Sequence, residues 1–166
     1  MDAQIVLLGA FHQAQYPFRR GCWARHAAAF DAVLRAIVDD LHVKSIAEEA
    51  NPAVETSAAI LANTLGLLYR NLDIPHNIQE GVKIHPREGW DSRNSANKYI
   101  LAWDIVREYH MYATFLEFVE GCTEPFPALL ICGDAHTQGL QALLSEKYQV
   151  ICKRYDLDEH GIGHST

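Results

Sequence analysis

Two short motifs carry an imidazole just past the end of an apolar run. Gly9-Ala10-Phe11-His12 follows the run at 5–8, and Gly133-Asp134-Ala135-His136 follows the run at 128–132. A further strand candidate, 43–47, stops at the adjacent carboxylates Glu48 and Glu49. If the three runs are neighbouring parallel strands, their ends share one rim, where the ligand crevice of an open α/β sheet lies. Two imidazoles and an acidic group on that rim suit acid–base chemistry, since a His held by a carboxylate takes a proton from water near neutral pH. A nearby arginine can hold a developing oxyanion. The same donors suit a divalent ion of the manganese, cobalt or zinc kind, held by His12, Glu48 and His136. A site without any metal is equally consistent with them.

Each residue also has a plainer use. Glu48 and Glu49 can serve as acidic charges ahead of the next helix, complementing its dipole. Because adjacent residues leave a strand in opposite directions, only one of the pair is expected to enter a shared pocket. Asp134 can cap the helix that follows His136. Arg107 can be a surface helix residue paired with Glu108 or Glu120. His26, His42, His76, His85, His110, His160 and His164 lack a strand-end setting, although His85 and His110 flank the loop and helix that bear on Arg107.

The elements that would position these groups follow from hydrophobic period. The stepping Trp23, Ala27, Phe30, Leu34, Ile37, Leu41 predicts one helix after the first strand. Val54, Ala58, Leu61, Leu65 and Leu68 predict a second helix, entered at Pro52. Residues 74–79 form a weaker strand candidate with Pro75 near its start, and 80–97 read as a long loop around Trp90 that could cover a substrate. Ile105, Tyr109, Tyr112, Leu116 and Val119 predict a third helix closed near Gly121. The strand at 128–132, a helix over 138–147 and a last strand at 149–154 complete the alternation. Strand and helix in turn predict an α/β domain over 1–156, a mostly parallel doubly wound sheet of about five strands with helices on both faces, and a flexible tail over 157–166.

Composition narrows the partners. With 14 Lys plus Arg against 21 Asp plus Glu and a net charge of -7, the chain offers nucleic acid no general electrostatic support. The apolar amino terminus is too short and too poor in basic residues for a signal peptide, and no run reaches membrane-spanning length. Cys22, Cys122, Cys132 and Cys152 are widely spaced and form no Cys-x-x-Cys pair, which suits free thiols in a reducing, cytoplasmic setting. Trp23, Trp90, Trp103, Tyr109 and Tyr112 read first as packing residues, with self-association into a homo-oligomer through helix faces as the other use.

The two Gly-x-x-His motifs, the Glu pair and the intervening Arg together resemble the superfamily that contains TraB, Tiki, erythromycin esterase and ChaN-like proteins. The segment Asp104-Ile105-Val106-Arg107-Glu108-Tyr109-His110-Met111 is similar to the arginine-bearing helix of its small bacterial members. The resemblance spans nearly the whole chain, but each motif is weak alone, and the insertions of the larger Tiki and esterase members are missing here. It implies site residues His12, Glu48, Glu49, Arg107 and His136, with Arg107 as the oxyanion-holding guanidinium and Arg93 competing for that role. It implies either a small hydrolase acting on an ester or amide of a small molecule or peptide, or a non-catalytic protein holding haem, a metal or a small metabolite. Fold and motif license the site more firmly than the reaction.

Overall fold

The computed structural model describes residues 3–17, 22–74 and 98–155. Its strands are β1 (Gln4–Ala10), β2 (Ser45–Glu48), β3 (Leu68–Asn71), β4 (Ala128–Gly133) and β5 (Gln149–Arg154). Its helices are α1 (Cys22–Leu41), α2 (Ser57–Leu65), α3 (Lys98–Glu120) and α4 (Thr137–Leu144). Short 3-10 turns at His12–Gln15 and Asp134–His136 follow β1 and β4.

The described strands make one five-stranded sheet in the order β3-β2-β4-β1-β5, every pair parallel. Strands β1, β2 and β4 are buried along almost their whole length, which is why β1 and β4 read as near-continuous apolar runs rather than alternating ones, whereas β2 buries Ser45, whose hydroxyl donates to Pro125 O at 2.7 Å, and Glu48. The edge strands β3 and β5 keep exposed positions and carry charge at Arg70, Lys153 and Arg154. A core lies on each face. On one, Val6, Leu8, Ile46, Leu129 and Ile131 pack against Phe30 and Leu34 of α1 and Leu61 of α2. On the other, Ile5, Leu7, Ala47, Leu130 and Cys132 pack against Met111 and Phe115 of α3 and Leu140 of α4. The sheet is therefore doubly wound, as the alternation of strand and helix predicts.

Sequence and structure differ in two places. The second helix starts at Ser57, not at Pro52, because the Thr56 side chain caps it by accepting the Ala59 N–H at 3.1 Å. It stops at Gly66, which adopts the left-handed conformation (φ 66) and closes the helix end. Leu68, expected on the helical stripe, instead opens β3, so the third strand precedes the expected 74–79 segment; residues 75–97, including Arg93 and the Trp90 loop, lie outside the described residues. On α3 the inward stripe is Met111, Phe115 and Val119, while Ile105 and Tyr109 are 53% and 58% exposed. Two four-three registers fit this helix, and the one that buries Met111 and Phe115 wins. It also turns the preceding Arg107 and Glu108 toward the sheet end. The tail beyond 155 lies outside the described residues as well.

Candidate functional site

The strand order creates the site. The chain leaves β1 and β2 toward the α1 and α2 face, but leaves β4, which lies between them, toward the α4 face. Connections that part to opposite faces mark where open α/β sheets place their ligand sites, here the carboxyl end of β4, flanked by the ends of β1 and β2. The packing there is tight. A Cβ on Gly9 would lie 2.5 Å from the Thr137 hydroxyl and 3.0 Å from the Asp134 carboxylate, so only glycine lets the turn after β4 settle on the end of β1.

Glu49 is the hub. Its backbone N–H still donates to Ile131 O at 2.8 Å, extending the β2–β4 ladder by one residue, and its side chain is fully buried. One carboxylate oxygen, Oε2, accepts the Gly133 N–H at 2.8 Å. The other, Oε1, accepts Arg107 Nη2 and lies 3.6 Å from His136 Nε2. Arg107 Nη2 also donates to Asp73 Oδ1 at 3.1 Å, and the Arg107 Nε–H is buried with no hydrogen-bond partner. On its other nitrogen, Nδ1, His136 meets Glu108 Oε1 at 3.3 Å. The imidazole is thus held between two carboxylates, one of which is neutralised by a guanidinium.

Of the residues expected from sequence, Glu49, Arg107 and His136 come together. Glu48 does not join them. As the last residue of β2 it faces the α1 and α2 side, where its Oε1 accepts the Thr56 hydroxyl and the Tyr69 hydroxyl, the latter at 2.5 Å. Its second oxygen has no partner, and burial holds its pKa above the usual carboxylate range against the opposing help of the two hydroxyls. An open cavity of about 270 Å³ lies on this side, lined by Tyr69, Asn71 and the 52–55 loop. None of the Glu49 group lines it. His12 begins the turn after β1, on the same rim, but its side chain lies outside the described residues, as does Arg93.

Two members escape the sequence reading. Asp73 is the first, because the expected strand at 74–79 hid the end of β3. The Gly66 helix stop is the signal that moves the strand to 68–71 and puts Asp73 at a strand's carboxyl end. Its placement is fixed locally: Asn71 Oδ1 accepts the Asp73 N–H and Asn71 Nδ2 donates to Ala50 O, each at 2.8 Å. Glu108 is the second, read only as a neighbour for Arg107. Its spacing of three from the buried Met111 was the usable signal.

Among the described residues, no three His, Cys, Asp or Glu side chains converge as ligands on one point. The geometry explains it: Glu49 and Glu108 address opposite nitrogens of His136, so a single ion cannot meet all three, and Glu48 lies across the sheet. Cys132, at the same strand end, is buried beside Thr137 at 3.9 Å. Burial first, then the Glu49 charge, pushes its thiol pKa up, which disfavours the thiolate. No helix among the described residues is long and apolar enough to cross a membrane. Comparison with models of known protein families, with curated proteins and with solved structures finds no match to this chain.

Proposed function

We propose that this protein is a small hydrolase that cleaves an ester or amide bond with a water activated at His136. The observation that carries the reading is the buried imidazole with a carboxylate at each ring nitrogen and a guanidinium tied to one of them, at the carboxyl end of β4 in a doubly wound sheet. Such an arrangement orients a base, keeps it from drifting and supplies positive charge beside it. The resemblance to erythromycin esterase and Tiki proteins points the same way.

In this scheme His136 Nε2 takes a proton from a water as its oxygen bonds to the acyl carbon. The carbonyl oxygen becomes an oxyanion, and Arg107 stabilises it; its Nε–H is the donor that the ion pairs leave unused. The tetrahedral species then expels the alcohol or amine, which receives the proton from His136, and the acid product departs. Glu49 keeps Arg107 and His136 in register.

Turnover on a panel of esters and short peptides tests this, with and without added manganese. His136→Ala is expected to lower kcat by about 100-fold or more while the protein stays folded. A folded His136→Ala protein with unchanged turnover removes the scheme. So does a wild-type protein that turns over nothing and instead takes up haem or metal stoichiometrically, which is the ChaN-like binding alternative.

A further inference from the structure

Glu108 and Gly139 form a pair that hydrolysis in general does not require. Glu108 stands on α3 and Gly139 in the first turn of α4, and a Cβ on Gly139 would lie 1.9 Å from Glu108 Oε2 and 2.4 Å from its Cδ. The carboxylate therefore lies across the bare backbone of Gly139, where any other residue would displace it. Glycine inside a helix is unfavourable relative to alanine, so the position carries a cost that local helix stability does not explain. The seat brings Glu108 Oε1 to 3.3 Å from His136 Nδ1, with the two side chains only 15% and 5% exposed.

We propose that Glu108, seated on Gly139, is a positioning residue that holds the proton of neutral His136 on Nδ1 and so leaves the Nε2 lone pair facing the Glu49–Arg107 side. Two carboxylates compete for that proton. Glu49 is the weaker competitor on three counts: it stands farther away, at 3.6 Å against 3.3 Å, its Oε1 already accepts Arg107, and its Oε2 already accepts the Gly133 N–H. Glu108 directs Oε1 at Nδ1, and its ion-pair partner in the site is His136 itself. A ring nitrogen's role is fixed by the hydrogen bond its partner nitrogen makes. The inference rests on the hydrolase reading for its purpose, but the tautomer is measured without turnover.

The test is heteronuclear NMR of the ring nitrogens at a pH where His136 carries one proton, with its signals assigned by their loss in His136→Gln. In the wild type, Nδ1 is expected to report as protonated and Nε2 as unprotonated. Gly139→Ala, which helix preference favours, is expected to fold and to move the proton to Nε2, and Glu108→Ala to do the same without touching the helix. A wild type with the proton on Nε2 overturns the proposal, as does a folded Gly139→Ala protein that keeps it on Nδ1. Should Gly139→Ala not fold, Glu108→Ala decides alone. In an assay with turnover, Glu108→Ala is expected to reduce kcat by about tenfold or more with KM little changed. A tautomer that moves as expected in a protein that hydrolyses nothing keeps the Glu108 assignment and removes the hydrolase.

Discussion

Glu48 and Glu49 are consecutive, equally buried and chemically identical, yet the sheet between them gives them opposite lives. Glu49 enters a face where Arg107, Asp73, His136 and Glu108 form a web of charge, and its carboxylate is compensated by a guanidinium and a backbone N–H. Glu48 enters a face of apolar side chains, where two hydroxyls are its partners and one oxygen has none. A strand's alternation thus does more than sort apolar from polar. It decides which of two neighbouring carboxylates meets a guanidinium and which is left to burial, which pushes it toward the protonated form.

The largest effect should come from removing the compensation of Glu49. Arg107→Met keeps most of the side-chain stem but leaves a fully buried carboxylate without its cation, a loss of about 3 kcal/mol or more. Urea unfolding measures it. The double variant with Glu49→Gln should recover a substantial part, because neither charge is then stranded. A single variant that loses less than about 1 kcal/mol would mean that Glu49 is compensated by something other than Arg107.

Much of this face was legible in the sequence, and the reason is physical. A strand buried on both sides, such as β4, is apolar throughout, so His136 just past its end stands out by contrast, and the acidic pair stands out as the place where β2 stops. The expectation that only one of Glu48 and Glu49 enters the pocket follows from the same geometry, and the structure sends them to opposite faces. What could not be read was which one, since that depends on the twist and register of β2 against β4, which neighbours in sequence do not fix. The β3 edge was obscured for another reason. Half-exposed and short, with the sequence Leu68-Tyr69-Arg70-Asn71, it continues a helical stepping so well that only the Gly66 stop betrays it. Tyr69, Asn71 and Asp73 were lost with it, and with them the partners that separate the two faces. On α3, two competing stripes concealed Glu108.

On the Glu48 side the expected effects are smaller. Thr56 acts twice, donating its hydroxyl to Glu48 and accepting the Ala59 N–H at the start of α2. Thr56→Ala removes both the cap and a hydrogen bond to the buried carboxyl, and should cost about 2 kcal/mol. Thr56→Ser keeps both and should restore most of the loss. If serine is no better than alanine, packing of the threonine methyl rather than its hydroxyl holds this corner, and the contrast with the ion-paired face weakens.

Glu48→Gln sharpens the contrast most, although its net effect at neutral pH should be the smallest. The amide relieves the burial of a charge but places an N–H where the carboxyl oxygen Oε2 has no partner, and the two changes oppose. Their pH dependence does not cancel. Burial raises the Glu48 pKa in the folded protein above its value in the unfolded chain, so folding favours the protonated form. The stability Glu48 contributes is complete below the ordinary carboxylate value and is lost as pH rises through the raised one. Glutamine has no such loss. The unfolding midpoint of Glu48→Gln, compared with that of the wild type from acid to mildly alkaline pH, should therefore gain steadily as pH rises and then level off. A difference that stays flat, or one that shrinks, would mean that burial does not raise the Glu48 pKa, and the contrast between the two faces would fail.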